Sequence, residues 1–390
     1  MRIRFGKTLI VAIAMLCVLA PAASADWTSK WSNGHKIESE DGKFKLKFGG
    51  RVMSDWTFAD DDLFGTEDGN EFRRARFFFS GTVYGNVAFK AEYDFAGGDA
   101  DFKDVWIQIK KTPIGNIQIG HFKEPFSLEE LTSSKYITFL ERSLPVMFAP
   151  VRNTGIMVFD NHGDRFTWAA GIFRETDDAS IGSGDGKRNI TARFTGLPLY
   201  EDKGNRLIHL GLGLSRKDFG DDPFRFRNRP EVHQTVRFVD TGNFSADAVD
   251  ILGLEFATVQ GPFWAMAEYF QSEVDESALQ DPSLGGYYVQ AGYFLTGEAR
   301  PYKNSAGIFD RVKPKSNFGK DGKGAWEIAA RFSTLDLTDG ALTGGEIDNF
   351  TVALNWYLNP VTRFMLNYVD ADVDGAGDAS FILLRAQIDF

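Results

Sequence analysis

Apolar and polar side chains alternate along most of the chain. In KFKLKFGGRVMSDWTF (43–58), Phe44, Leu46, Phe48, Val52, Trp56 and Phe58 alternate with Lys45, Lys47, Arg51 and Asp55. In NVAFKAEYDF, Val87, Phe89, Ala91, Tyr93 and Phe95 oppose Lys90, Glu92 and Asp94, and in GAWEIAARFST, Trp326, Ile328, Ala330 and Phe332 oppose Glu327 and Arg331. A period of two sends successive side chains to opposite faces of an extended strand. With more exceptions it also fits 73–83, 102–110, 115–122, 154–160, 165–174, 188–196, 205–216, 248–259, 262–272, 286–296, 348–358 and 361–369. In the final stretch, FILLRAQIDF (381–390), Ile382, Leu384, Ala386, Ile388 and Phe390 oppose Arg385, Gln387 and Asp389, with Leu383 the exception. The pattern predicts about sixteen strands.

The connections are of two kinds. GTVYGN, KTPIGN and LNPVTR are short, whereas ADDDLFGTEDGNE, ETDDASIGSGDGK, PYKNSAGIFDRVKPKSNFGKDGK and VDADVDGAGDAS are long and polar. Short turns at one end and long loops at the other are the asymmetry of a membrane barrel. A soluble two-sheet sandwich also alternates, but its apolar faces meet one another. Lipid accepts strands only when they close without an edge, at about 9–11 residues per tilted crossing. Sixteen strands enclose more room than side chains fill, so the charged face is expected to line a water-filled pore. The expected fold is all-β: a transmembrane antiparallel barrel over 43–390, preceded by a polar lead-in at 26–42.

The start of the chain adds a location. Arg2, Arg4 and Lys7 precede the apolar run TLIVAIAMLCVLA, and APAASA closes it with small residues, the order of a secretory signal peptide (1–25) cut after Ala25. Cys17 falls inside it, so the mature chain offers neither disulfides nor a thiolate. Leu16, before that cysteine, is too large for a lipoprotein signal. Removing three basic and no acidic residues moves the balance from 43 against 54 to 40 against 54, or −14, which makes nucleic acid a poor partner. Beyond the leader, charges interrupt every apolar run well short of the ~18 residues a membrane helix requires. Aromatic residues at 14%, with 36 Phe and 40 Gly, suit a large sheet with many turns. The five histidines, at 35, 121, 162, 209 and 233, sit in no GxSxG elbow or HExxH pair, so an enzyme is disfavoured and neither metal nor cofactor is expected.

One stretch does not alternate: HFKEPFSLEELTSSKYITFLERSLPVMFAPVRNTG, residues 121–155. It is too apolar for a solvated loop at Phe139, Leu140, Leu144, Val146, Met147 and Phe148, and loops of this length in compact folds are usually functional. Folded into the lumen after the fifth strand, it would set Lys123, Lys135, Arg142 and Arg152 beside the permeant path. The alternative is a short helix at a subunit contact. Glu124, Glu129, Glu130 and Glu141 in the same loop could neutralise those cations or line the opposite wall. A second basic run, DDPFRFRNRPEVHQT, places Arg225, Arg227 and Arg229 on one face of an extended segment. Guanidinium forks donate paired hydrogen bonds to phosphate oxygens, so such a ladder suits a hopping anion. Pairing with Asp221, Asp222 and Glu231 is the bland alternative. Arg51, Arg74, Arg76, Lys90 and Arg331 lie on charged strand faces.

HFKEPFSLEELTSSKYITFLERSLP, GYYVQAGYFLTGEARPY, GAWEIAARFSTLDL and FTVALNWYLNPVTRFMLNYV, with FGGRVMSDWTF and the terminal Phe390, resemble the phosphate- and pyrophosphate-selective porins of Gram-negative outer membranes. The resemblance spans nearly the whole mature chain. It implies a sixteen-stranded barrel, a homotrimer set in outer-membrane lipid and lipopolysaccharide, and an infolded third loop. It also implies passive passage of small anions, with basic selectivity residues in that loop, where Lys123 and Lys135 both qualify. The terminal Phe would belong to the signal read by the barrel-assembly machinery. The expected function is an outer-membrane porin for phosphate, polyphosphate or related anions through a basic constriction. A weakly selective small-solute porin and an outer-membrane barrel enzyme are the alternatives.

Overall fold

The computed structural model describes residues 27–390 apart from 33, 62, 183–186 and 219–222; the expected signal peptide and Asp221 and Asp222 lie outside the described residues. Sixteen strands build the wall: β1 (Lys45–Asp60), β2 (Gly69–Val83), β3 (Val87–Asp94), β4 (Asp101–Thr112), β5 (Gly115–Lys123), β6 (Arg152–His162), β7 (Phe166–Arg174) and β8 (Arg188–Glu201), then β9 (Arg206–Asp218), β10 (Ala248–Gln260), β11 (Phe263–Asp275), β12 (Ser283–Phe294), β13 (Ala325–Asp339), β14 (Leu342–Asn359), β15 (Thr362–Val373) and β16 (Gly377–Asp389). Every segment read from the period-two pattern falls on one of them. Each strand pairs antiparallel with its neighbour, and β16 returns to β1 from Ser380↔Asp60 to Asp389↔Arg51, so the sheet closes. Among the described residues no helix is long and apolar enough to cross a membrane.

The faces are inverted relative to a soluble protein. On β13–β16, Ile328, Phe332, Phe350, Val352, Phe364, Leu366, Tyr368, Ile382, Leu384 and Ile388 are 38–49% exposed, while the alternating Glu327, Arg331, Asn355, Arg363 and Arg385 are at most 2% exposed. Removing one large apolar side chain from water is worth roughly 1.5–3 kcal/mol, so a continuous belt of them requires lipid outside.

The interior is not the open space the strand count suggested. Three connections fold into it: 124–151 after β5, 223–247 of the connection after β9, and 295–324 after β12. Phe126, Leu128, Phe139, Leu144 and Phe148 of the first, Phe226, Val232, Phe238 and Phe244 of the second, and Phe309 and Val312 of the third share one core. That core rests on Val259, Trp264, Met266, Phe270, Leu284 and Tyr288 of β10–β12. Apolar loop side chains need apolar partners, and lumen-facing Trp264 and Phe270 provide them. The segment lies inside the barrel as expected, and the short helix that the alternative set at a subunit contact is found there as α1 (Leu128–Leu131). Glu268 of β11 anchors it by accepting the backbone N–H of Leu128 (2.8 Å) and Glu129 (2.9 Å), while the Ser127 hydroxyl caps Glu130 N–H (3.1 Å).

One sequence expectation needs correcting. Residues 301–323 were grouped with the long outer loops, but strand parity puts the 295–324 connector at the short-turn end, beside the turns after β2 and β4. Its length serves burial in the lumen, where Glu298, Arg300, Phe309 and Arg311 are each at most 6% exposed. The lead-in, read as merely polar, forms a hairpin of Trp27–Trp31 and His35–Ser39. Its second arm pairs with β1 from His35↔Phe48 to Glu38↔Lys45, where β1 runs past the end of β16. At the junction Phe390 exchanges both backbone hydrogen bonds with Gly50 (2.8 and 3.1 Å). Side chains at Gly49 and Gly50 would collide with the Phe390 carbonyl and ring, which is why two glycines stand there.

Candidate functional site

With the apolar core against β10–β12, a chamber of about 180 Å3 lies open against β1–β6. Its lining is Arg51, Arg74, Arg76, Lys90, Lys123, Arg142 and Arg152, with Asp104, Leu131, Ser133 and Ser134. Alternation explains the wall residues: Arg51, Arg74, Arg76, Lys90 and Asp104 occupy lumen-facing positions on β1–β4. Lys123 and Arg152 are the last and first residues of β5 and β6, the two strands that carry the infolded loop.

Most of these cations are tied to carboxylates. Glu92 takes Arg51 (3.1 Å), Arg76 (3.4 Å) and Lys90 (2.6 Å). Asp94 takes Arg76 (2.6 Å), and Asp104 bridges Lys90 (2.6 Å) and Arg152 (2.8 Å). Glu130 of α1 holds Lys123 (2.8 Å) and Arg142 (3.1 Å). Arg142 also donates to the carbonyls of Glu129, Glu130 and Thr132 (3.0 Å each), where the end of α1 leaves oxygens unpaired. Burial opposes ionisation of Glu130, but Arg142 and Lys123 outweigh it and hold its carboxyl below the usual range.

Arg74 differs from the other six. It is 4% exposed, faces no carboxylate within ion-pairing distance, and its Nε is unpaired. Its Nη1 donates only to the Met53 sulfur at 3.6 Å, a weak acceptor. Ser134 accepts from Arg51 at 2.9 Å, leaving its own hydroxyl proton free to turn toward the chamber.

Lys135 lies in an adjoining cleft with Tyr136, Arg311, Arg363 and Asp389. Its ammonium is 3.5 Å from Asp389, and burial followed by Arg51 pulls its pKa down to about 8. The expected arginine ladder is altered. Phe224 and Phe226 turn into the core while Arg225 and Arg227 face out, but only Arg227–Asn228 is strand, paired with Val239–Asp240. Arg225 is held by both oxygens of Asp240, and Arg229 donates to the Thr235 carbonyl (2.7 Å). Glu231 pairs with Arg331, Ser333 and Thr351 rather than with the ladder, so Arg331 is a fully buried loop anchor. Ser133, Ser134 and Arg311 were not singled out in the sequence; serines in a loop and an arginine in a long connector carry no local signal of the lumen.

The family model for phosphate-selective porin O and P matches residues 46–390. Porin O of Pseudomonas aeruginosa is 29% identical, over 90% of this chain and 88% of its own length. An uncharacterised protein of Caulobacter vibrioides is 30% identical, over 92% of this chain and 74% of its own. Among solved structures, an anion-selective porin from Comamonas acidovorans superposes with a TM-score of 0.56 at 13% identity, covering 89% of this chain and all of that one. The outer membrane channel DcaP of Acinetobacter baumannii gives 0.57 at 13% identity, covering 90% and 99%. The trimer form of Vibrio cholerae OmpT gives 0.56 at 13% identity, covering 89% and 99%; these three share the fold. A closed sixteen-stranded barrel with a belt of apolar side chains outside and a basic chamber within is therefore an outer-membrane porin of the Gram-negative type, and the chain belongs to the phosphate-selective porin O and P family.

Proposed function

We propose that the protein conducts phosphate and related small anions across the outer membrane by passive diffusion, through the chamber bounded by Arg51, Arg74, Arg76, Lys90, Lys123, Arg142 and Arg152. The observation that carries this reading is Arg74. Six of the seven cations around the chamber are held by the four carboxylates Glu92, Asp94, Asp104 and Glu130, so these cations outnumber the carboxylates within ion-pairing distance of them. Arg74 is the one of the seven with no carboxylate partner. An anion that sheds water on entry needs donors in exchange, and an unpaired guanidinium with two serine hydroxyls nearby supplies them. The overall formal charge of −11 does not oppose this, because charges on outer loops are screened over about 10 Å.

Arg227 and Arg229 would gather anions at the outer mouth, and Lys135 would receive them below the chamber. Lys30, Lys36 and Lys47, in cross-strand register on the lumen side of the short-turn end, would favour their exit. Three barrels would assemble into a trimer, as the trimer form of OmpT does. Phe390, seated on Gly50, would serve as the signal read during barrel assembly. The test is chloride current through the purified protein in planar bilayers, titrated with phosphate. Arg74→Ala should raise the phosphate concentration needed for half-block by at least about tenfold, the loss of about 1.4 kcal/mol from a charge-assisted hydrogen bond. Unchanged block would favour a general small-solute porin.

A further inference from the structure

The N-terminal hairpin has a use that anion passage does not require. Directly opposed residues of a ladder share a face. The register therefore puts Trp27, Ser29, Trp31, His35 and Ile37 on the same side as Leu46 and Phe48 of β1, the side that meets lipid higher up the wall. Trp27 is 56% and Trp31 66% exposed. At this end of the barrel the outward face carries an aromatic band. Trp326 stacks on Trp356 (5.1 Å between centroids), Phe364 lies beside it (6.1 Å), and across the seam Phe44 meets Tyr84 edge-on (5.0 Å). Between those groups β16 contributes Ala386 and Ile388, and the Phe390 ring packs on Gly50, so the band is interrupted at the seam.

We propose that the hairpin closes this gap as a membrane contact, presenting Trp27 and Trp31 to the phospholipid head-group layer of the periplasmic leaflet. Indoles favour that layer because their ring is apolar and their N–H requires a polar partner. Among the described residues the outer backbone edge of Trp27–Trp31 is unpaired; such an edge excludes hydrocarbon, where unpaired N–H and C=O groups are costly, but is satisfied among head groups and water. Lys30, in the middle of that edge, blunts it against addition of a strand from a second copy. The result is a ribbon that extends the wall past the end of β16 and turns its two tryptophans to the lipid side.

The protein, carrying 5-fluorotryptophan at its eight tryptophans, is reconstituted in phospholipid bilayers and read by fluorine NMR, with Trp27→Phe and Trp31→Phe assigning two resonances. A nitroxide lipid labelled near its head group should broaden both as strongly as Trp326 and Trp356, and at least twofold more than lumen-buried Trp264. Broadening only by a soluble gadolinium chelate would place the hairpin in bulk water and overturn the proposal. Insensitivity to both agents would mean a protein cover, a second copy included, and would also overturn it. Unmoved positions of the other six resonances report that each variant keeps its barrel, and none of these readouts depends on which ion the chamber prefers.

Discussion

At the scale of single residues, the chamber separates paired cations from available ones. Lys135 belongs to the infolded loop rather than to a spanning strand, and burial together with Arg51 brings its pKa to about 8 despite the opposing pull of Asp389. Its charge is present below that value and lost as pH rises through it. Chloride-over-potassium permeability should therefore fall as pH is raised from 7 to 9, and Lys135→Met should give a lower ratio with a flatter profile. Reversal potentials across a chloride gradient measure both. An unaltered pH profile in the variant would remove Lys135 from the route. The lumen positions of Arg51, Arg74, Arg76 and Lys90 were legible from period two alone. The isolation of Arg74 was not, because its cross-strand partner is Met53, which offers a sulfur and no carboxylate, and the pairing of two distant strands is not announced by either local sequence.

At the scale of elements, the 295–324 connector is clamped at several places. Arg311 donates to Asp389 (3.0 Å) and Tyr136 (3.0 Å), linking the connector to β16 and to the infolded loop. Arg193 on β8 pairs with Glu255 (2.7 Å) and donates to the Gly307 carbonyl (2.8 Å), and the Tyr302 hydroxyl meets His209 (2.6 Å). Arg300 is sandwiched between Trp264 and Phe309 at 3.8 and 3.9 Å. Removing one member of a buried ion pair costs about 3–5 kcal/mol. Arg311→Ala should accordingly raise backbone hydrogen exchange across 299–312 by tenfold or more while β13–β16 stay protected. Equal protection in both proteins would show that the aromatic sandwich alone suffices. Length and polarity made this connector look like an outer loop; counting strands would have corrected it, since connections after even-numbered strands all emerge at one end. The infolded loop was recognisable because Phe139, Leu140 and Phe148 had no use in water, yet its resting place depended on Trp264 and Phe270, whose inward direction only the full register reveals.

At the scale of the whole molecule, the lumen has two unlike halves: a packed apolar one against β10–β12 and a charged open one against β1–β6. The infolded loop is seated tightly on the wall where the Phe126 ring lies across Gly213 and Gly253, each too close for a side chain (2.9 and 2.8 Å from the ring to an added Cβ). Gly253→Ala should push the loop off that wall at a cost of about 1–3 kcal/mol. The expected outcome is a larger single-channel conductance with weaker anion preference; unchanged conductance would mean that the loop yields without opening a second route. The two-fold alternation along the chain foretold the barrel but not this partition, because it reports which way a side chain points and not what fills the space it points into.

That partition concentrates the chemistry in one stretch of the polypeptide. Residues 45–152 supply every group around the chamber, whereas the second half of the chain chiefly provides bulk that steers traffic to one side. The seat of the selectivity loop is nevertheless written in the second half, where Glu268 holds its helix and Gly213 and Gly253 receive Phe126, so a transplanted specificity would have to carry those receiving positions with it.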